Sequence, residues 1–315
     1  MDNRGTSPLR DLSLLLRLWR LLRHERPSLV IFYTVKPNIY GSLAARALGI
    51  PSIVNVTGLG AAFIRQSWLT HVVSRLYRLA FLHSRVVFEN TADRQLFVDG
   101  KLVQAEQTIV MSTTGVDLTQ FAPHRPRPPD DEIRFLLIAR MLWDKGVGEF
   151  VAAARQIRRQ VPGARFYLLG FLDVPNPAAI DRATVEAWQA EGVVTYLGET
   201  SDVRPAIAAA DCIVLPSYRE GLSRSLIEAA AMARPIIATD VPGCRDTVDA
   251  GISGLLVPPR DAVSLAAAMR DFCALSPAAR SAMGHASRLK AEAEFDERHV
   301  IARYRDELQR MTNGR

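Results

Sequence analysis

The amino-acid sequence predicts an α/β protein made of two Rossmann-like, doubly wound domains, the first of them incomplete. Three observations predict it. Short β-branched and aromatic runs alternate with amphipathic helical segments, the pattern of βαβ units and of parallel strand pairing. The 315 residues are enough for two ordinary domains. Between the two series lies a stretch, residues 122–131, with four prolines in ten residues, which can continue neither a helix nor a central strand.

The first series opens with Asp11 to His24, where Arg17, Arg20 and Arg23 recur on one side of an otherwise apolar helix. Such a helix either covers a parallel sheet or lies on a membrane surface. A strand from Ser28 to Thr34, a Pro37-Asn38 turn, a helix from Tyr40 to Leu48 and a strand from Pro51 to Val56 follow. The second series is longer. It predicts strands at Arg134–Ile138, Arg165–Leu169, Val193–Leu197, Cys212–Leu215 and Ile236–Thr239, with helices at Val147–Gln160, Ala179–Ala190, Val203–Ala209 and Ser223–Met232 between them. Five strands with intervening helices make a full doubly wound domain. The expected boundaries are therefore 1–125, 126–290 and a C-terminal helix at 291–315. The charged amphipathic tail from Pro277 is able to return to the first domain.

Composition narrows the class. With 48% hydrophobic and 23% charged residues the chain is neither disordered nor fibrous. Its apolar stretches, such as Leu12 to Trp19, are interrupted by arginine well short of the roughly 20 residues a spanning helix needs. No secretory signal is visible in the sequence, so a cytoplasmic location is expected. Three widely spaced cysteines, Cys212, Cys244 and Cys273, fit neither a disulfide framework nor a Cys-based zinc site. Residues 1–125 carry 15 Lys+Arg against 8 Asp+Glu, whereas the remainder is balanced. That excess suits anionic lipid headgroups or an acidic substrate, and equally an ordinary solvated surface. The basic residues are not interleaved with stacking aromatics, which argues against a nucleic-acid binder.

Two constellations carry chemistry. In Pro216-Ser-Tyr-Arg-Glu220-Gly-Leu-Ser-Arg-Ser-Leu-Ile-Glu228, two carboxylates flank a strand end, a Gly turn and the start of a helix. Ligands of open α/β sheets collect at the carboxyl ends of strands. Gly221 admits close backbone approach, and the amides of Leu222 and Ser223 are placed to donate to anionic oxygens. Carboxylates accept paired hydroxyls well, so Glu220 and Glu228 suit a phosphorylated polyol. In Ile138-Ala-Arg140-Met-Leu-Trp-Asp-Lys145-Gly146, a strand ends in two cations ahead of a helix. A guanidinium fork and an ammonium suit a pyrophosphate, although the spacing is not that of a P-loop.

Together these residues resemble glycosyltransferase family 4, the retaining family with the GT-B fold, over about Pro8 to Met311. Glu220 and Glu228 match its E-x7-E motif, and Arg140 and Lys145 match its donor-diphosphate cations. Further matching stretches are Thr34 to Gly41, Asn55 to Gly60, Gly115 to Asp117, Gly198 with Asp202 and Val203, and Thr239 to Cys244. They look like the branch that builds bacterial capsule, exopolysaccharide or lipid-linked oligosaccharide. The resemblance implies a nucleotide-sugar donor, UDP-sugar first among them, and a glycan or lipid-linked acceptor. Glu228 would hold the ribose hydroxyls, Glu220 the sugar, and Arg140 and Lys145 the leaving diphosphate. No metal or other cofactor is implied, and no D-x-D motif occurs. A peripheral place at the inner membrane surface, through the basic first domain, would fit such an acceptor.

The resemblance departs at two places. Members of the family carry a strand, a Gly-rich loop and further units before the equivalent of Asp11, and an inactive or partner-dependent, N-terminally truncated nucleotide-sugar-binding fragment is therefore the alternative reading. Thr57 stands where a sugar-contacting His is common. A competing dinucleotide fingerprint at Gly58-Leu-Gly60-Ala-Ala-Phe63 fails at its third glycine.

Overall fold

The computed structural model describes residues 8–58, 68–124 and 131–313. Leu59, Gly60 and Phe63 of the glycine stretch, and residues 125–130 of the proline-rich stretch, lie outside the described residues. The chain divides into two compact units, residues 1–113 with 300–315, and residues 114–299.

The first unit is built from α1 (Pro8–Glu25), β1 (Val30–Tyr33), α2 (Ser42–Ala47), β2 (Ser52–Val56), α3 (Trp68–Phe81), β3 (Ser84–Phe88), α4 (Thr91–Asp99) and β4 (Thr108–Val110). Its strands form a parallel sheet in the order β1-β2-β3-β4. Alternate side chains face opposite ways along a strand, and the two faces have different covers. Phe32, Val54, Val86 and Phe88 pack under helices through Leu22, Ala45, Tyr77, Phe81 and Phe97. Asn90 accepts a bond from Asp93 N at 2.8 Å and so starts α4 at the end of β3.

The second unit contains β5 (Ile133–Ile138), α5 (Val147–Gln160), β6 (Ala164–Leu169), α6 (Arg182–Ala190), β7 (Thr195–Tyr196), α7 (Arg204–Ala209), β8 (Cys212–Leu215), α8 (Arg224–Ala231), β9 (Ile236–Thr239), β10 (Gly254–Val257), α9 (Ala262–Ala274) and α10 (Pro277–Lys290). The strands make a six-stranded parallel sheet in the order β10-β9-β8-β5-β6-β7. Both faces are covered. Phe135, Leu137, Phe166, Leu168 and Val214 meet α5, α6 and α9 through Phe150, Ile157, Trp188, Met269 and Phe272. Leu136, Leu169, Ile213, Leu215 and Ala238 meet α7 and α8 through Ile207, Leu226, Ile227 and Ala230. Two-sided burial explains why β8 and β9 read as apolar runs, and why β5 and β6 do so after Arg134 and Arg165.

The last helix, α11 (Glu297–Asn313), follows a π-turn at Ala291–Phe295. Tyr304, Leu308 and Met311 cover Ile53, Val87 and Met111, the second face of the first sheet. Residues 114–121 lie with the second unit because Val116 N donates to Phe295 O, Glu297 N donates to Val116 O, and Val116 and Leu118 enter that unit's core. The division therefore falls at Thr113, ahead of the proline-rich stretch.

Three strands, β3, β4 and β10, go beyond those read from the sequence. β4 has three residues, and β10 is the run Gly-Leu-Leu-Val, whose leucines carry no strand preference. Among the described residues no helix is long and apolar enough to cross a membrane. Helix α1 packs Leu22 into the core with Leu15, Leu18 and Trp19 beside it, while Leu9, Leu12, Leu16 and Leu21 are exposed, Leu9 at 81%.

Candidate active site

The carboxyl ends of β5, β8 and β9, neighbours in the second sheet, lead into three loops that interlock. After β5 the chain makes a 3₁₀ turn at Trp143–Lys145 and enters α5 through Gly146, whose φ is +71°. A Cβ at Gly146 would lie 2.0 Å from Pro216 O in the loop after β8, so only glycine permits this approach. Asp144 O accepts from Tyr218 N at 2.9 Å and from Ser217 Oγ at 3.2 Å. After β9, Pro242 O accepts from Glu220 N at 3.2 Å, and Gly243 O accepts from Ser223 N at 3.1 Å. Thr239 Oγ1 donates to Ser217 O at 2.5 Å. Backbone bonds between loops, rather than within one loop, thus hold the Glu220 segment in place.

That framework brings Lys145 and Glu220 together. Lys145 Nζ donates to Glu220 Oε1 at 2.5 Å, with both side chains mostly shielded from solvent. Glu228 occupies the second turn of α8 and is 7% exposed. Its Oε1 accepts from Arg224 Nε at 2.8 Å, across one helical turn. Burial holds the Glu228 pKa above the usual carboxylate range, and Arg224 pulls it back only in part. The two carboxylates therefore hold different cations. Arg140 follows β5 and is exposed, with no protein acceptor for its guanidinium among the described residues.

A layer behind these groups fixes the loops. Tyr218 OH donates to Glu149 Oε1 at 2.7 Å, and the Arg260 guanidinium stands 4.4 Å over the Tyr218 ring. Burial, and then the Glu149 bond, push the Tyr218 hydroxyl up to about 12. Cys244 is fully buried near Glu220. Burial chiefly, with the Glu220 charge, pushes its thiol up to about 12, so it is an inert thiol of the core.

Arg140, Lys145, Glu220, Gly221, Leu222, Ser223 and Glu228 all lie at the carboxyl edge of one sheet or in the first turns of α8. One expected detail needs correction. The Ser223 amide is committed to Gly243 O, because Gly243, at φ +79°, brings its backbone against the Glu220-Gly221 turn. The Leu222 amide has no protein acceptor among the described residues. Tyr218, Glu149 and Arg260 were not singled out in the sequence, where no spacing links them. Arg224 was legible, as an i, i+4 partner of Glu228.

Two α/β units with fully parallel sheets, the second carrying these cations and carboxylates at its strand ends or in the first turns of α8, have the architecture of the GT-B fold. Residues 132–274 match the family described as Glycosyl transferases group 1, and residues 3–114 match the one described as Glycosyl transferase 4-like domain. The chain is thus related to glycosyltransferases along both of its halves.

Among curated relatives, it is 31% identical over 247 residues to the N,N'-diacetylbacillosaminyl-diphospho-undecaprenol alpha-1,3-N-acetylgalactosaminyltransferase of Campylobacter jejuni, an alignment covering 73% of this chain and 63% of that protein. The chain spans about half to under two thirds of the length of the first curated relatives it matches. Sucrose-phosphate synthase from Thermosynechococcus elongatus superposes with a TM-score of 0.82 at 21% identity, covering 100% of this chain and 82% of that one. The Anabaena HepE structure in complex with UDP-glucose superposes with a TM-score of 0.79 at 18% identity, covering 96% and 84%. These likenesses establish the GT-B fold; the first unit holds a four-stranded sheet and the second a six-stranded one.

Proposed function

We propose that this chain is a retaining glycosyltransferase that moves a sugar from a nucleotide-sugar donor, UDP-sugar first, to a glycan or lipid-linked acceptor in bacterial polysaccharide assembly. The observation that carries the reading is the placement of Lys145 and Glu220 together at the strand ends of one sheet, with Glu228 in the second turn of the helix that follows Glu220. A UDP-glucose complex is known for a protein of the same fold, and a diphospho-undecaprenol acceptor is named for a curated relative.

In this reading Glu228 accepts the ribose hydroxyls, Glu220 accepts hydroxyls of the sugar, and the Leu222 amide faces sugar or phosphate. Lys145 and Arg140 stabilise the diphosphate as its charge grows. The glycosidic carbon–oxygen bond to phosphate breaks with its electron pair going to the diphosphate, and the acceptor oxygen enters on the same face. The acceptor proton passes to the departing phosphate oxygen. Charge stabilisation of the leaving group is the main catalytic contribution of the protein. The exposed leucines of α1, beside Arg17, Arg20 and Arg23, support peripheral contact with the cytoplasmic face of the membrane.

The test is calorimetric titration of the folded chain and of Glu228→Ala with UDP, then anomeric assignment of the product by NMR once an acceptor is turned over. Binding by the wild type that disappears in the variant supports the donor assignment. A folded wild type that binds no UDP overturns it, and an inverted product overturns retention.

A further inference from the structure

The Glu228 side chain is 9% exposed, yet Arg224 Nε reaches it from a side chain that is 73% exposed. The arginine therefore lies over the carboxylate from the solvent side. It engages Oε1 alone, and Oε2 has no protein donor among the described residues. Other charged groups on the elements packed against α8 are engaged elsewhere. Arg288 on α10 holds Glu292 and the Ala231 carbonyl, and Lys290 holds Asp249 and Glu294. Arg280 lies over the Phe272 ring and His285 is exposed. In the 3₁₀ turn after β9, Arg245 is paired with Asp240 and Asp246 accepts from Gly243 N. Strands β8 and β9 contribute no charged side chain. Among the described residues Arg224 is the one cation on Glu228.

We propose that Arg224 is a positioning residue for nucleoside recognition: it keeps the buried Glu228 carboxylate ionised and fixed by one oxygen, so that the other oxygen and the remaining lone pairs are presented to a vicinal diol. The inference rests on the reading of Glu228 as the carboxylate that holds the ribose.

The physical reason is that a desolvated carboxylate without a cation takes up a proton. The acid form has one hydroxyl donor and fewer acceptor sites, so it cannot take both hydroxyls of a diol. Arg224 opposes the burial that favours this acid form. Removing it raises the Glu228 pKa further, and acidification then abolishes diol binding at a higher pH. An i, i+4 pair that served helix stability alone would leave the pH dependence of ligand affinity untouched.

The experiment is calorimetric titration with UDP, GDP and ADP between about pH 5 and pH 8, a range that brackets shifted carboxylates. The proteins are wild type, Arg224→Met, Arg224→Lys and Glu228→Gln. The diphosphate's own ionisation is common to all four, so differences between them report on the protein. The expected result is a fall in wild-type affinity on acidification whose midpoint moves to higher pH in Arg224→Met and returns toward wild type in Arg224→Lys. Glu228→Gln binds at least tenfold more weakly at about pH 8 and shows no such midpoint. Superimposable profiles for wild type and Arg224→Met, with Glu228→Gln still impaired, overturn the role of Arg224. A folded wild type that binds none of the three nucleotides, or a Glu228→Gln that binds as the wild type does, overturns the underlying reading of Glu228 and the inference with it.

Discussion

Lys145 and Glu220, 75 residues apart in sequence, meet at 2.5 Å between the loops that follow two neighbouring strands. On the proposed reading the ammonium serves both Glu220 and the donor diphosphate. Lys145→Ala is expected to lower the rate of nucleotide-sugar turnover by about 10²–10³, the usual consequence of losing one preorganised donor to a developing anion. Release of UDP from UDP-sugar, followed at saturating donor, checks it. An unchanged kcat would place Lys145 outside the reaction.

Gly146 is the contact point of the β5 and β8 loops, and it lies in the left-handed region with Pro216 O against it. Gly146→Ala combines backbone strain with a steric clash and is expected to cost roughly 1–3 kcal/mol. The urea midpoint should fall and donor affinity should fall with it, because the same approach aligns Lys145. A variant of wild-type stability would mean that the loops separate without cost.

The raised pKa of Glu228 has a definite sign for stability. A carboxylate whose folded pKa lies above its unfolded value makes the native state bind more protons in that interval, so stability is fully present below the unfolded pKa and is lost as pH rises through the folded one. Glu228→Gln, nearly isosteric and uncharged, should therefore melt higher than wild type near neutral pH, with the gap closing on acidification toward the unfolded value of about 4.3. Calorimetric melting of both proteins across that range tests this, and a gap that widens on acidification would contradict it.

In the first unit, Tyr304 of α11 donates to Asn55 Oδ1 at the end of β2. Tyr304→Phe leaves that buried acceptor short of its partner and should cost about 1–3 kcal/mol. Urea unfolding followed by tyrosine-independent circular dichroism gives the value. No change in the midpoint would show that α11 is held by Leu308, Met311 and the Arg85–Glu307 ion pair without help from this bond.

The fold was legible in the sequence wherever hydrophobic period and length agreed. Strands β5, β6, β8 and β9 stand where the apolar runs predicted them, because burial on both faces keeps charge out of all but the first residues of β5 and β6. Three-residue β4 and the leucine-borne β10 escaped, since their pairing partners rather than their own residues make them strands. Of the candidate site, Glu220 with Glu228 and Arg140 with Lys145 are expected from their spacing, and the structure brings Lys145 onto Glu220 while leaving Glu228 to Arg224. The layer of Tyr218, Glu149 and Arg260 could not, because three separate loops and helices bring it together. The commitment of the Ser223 amide was hidden for the same reason. It depends on Gly243, twenty residues downstream by sequence but against the same turn in space.

The strand order β10-β9-β8-β5-β6-β7 has a consequence for how the second unit assembles. Its first-synthesised strand, β5, is central, and one of its flanks pairs with β6 about 30 residues later, whereas the other waits for β8, which begins at Cys212. Loop closure must precede the contacts that reward it, and long-range parallel pairing is slow. Refolding should therefore pass through a half-sheet of β5, β6 and β7 whose open edge is the apolar flank of β5. During synthesis that edge stays unpaired until α7 and β8 have emerged, and this interval, rather than the finished structure, is where the protein is most exposed to self-association.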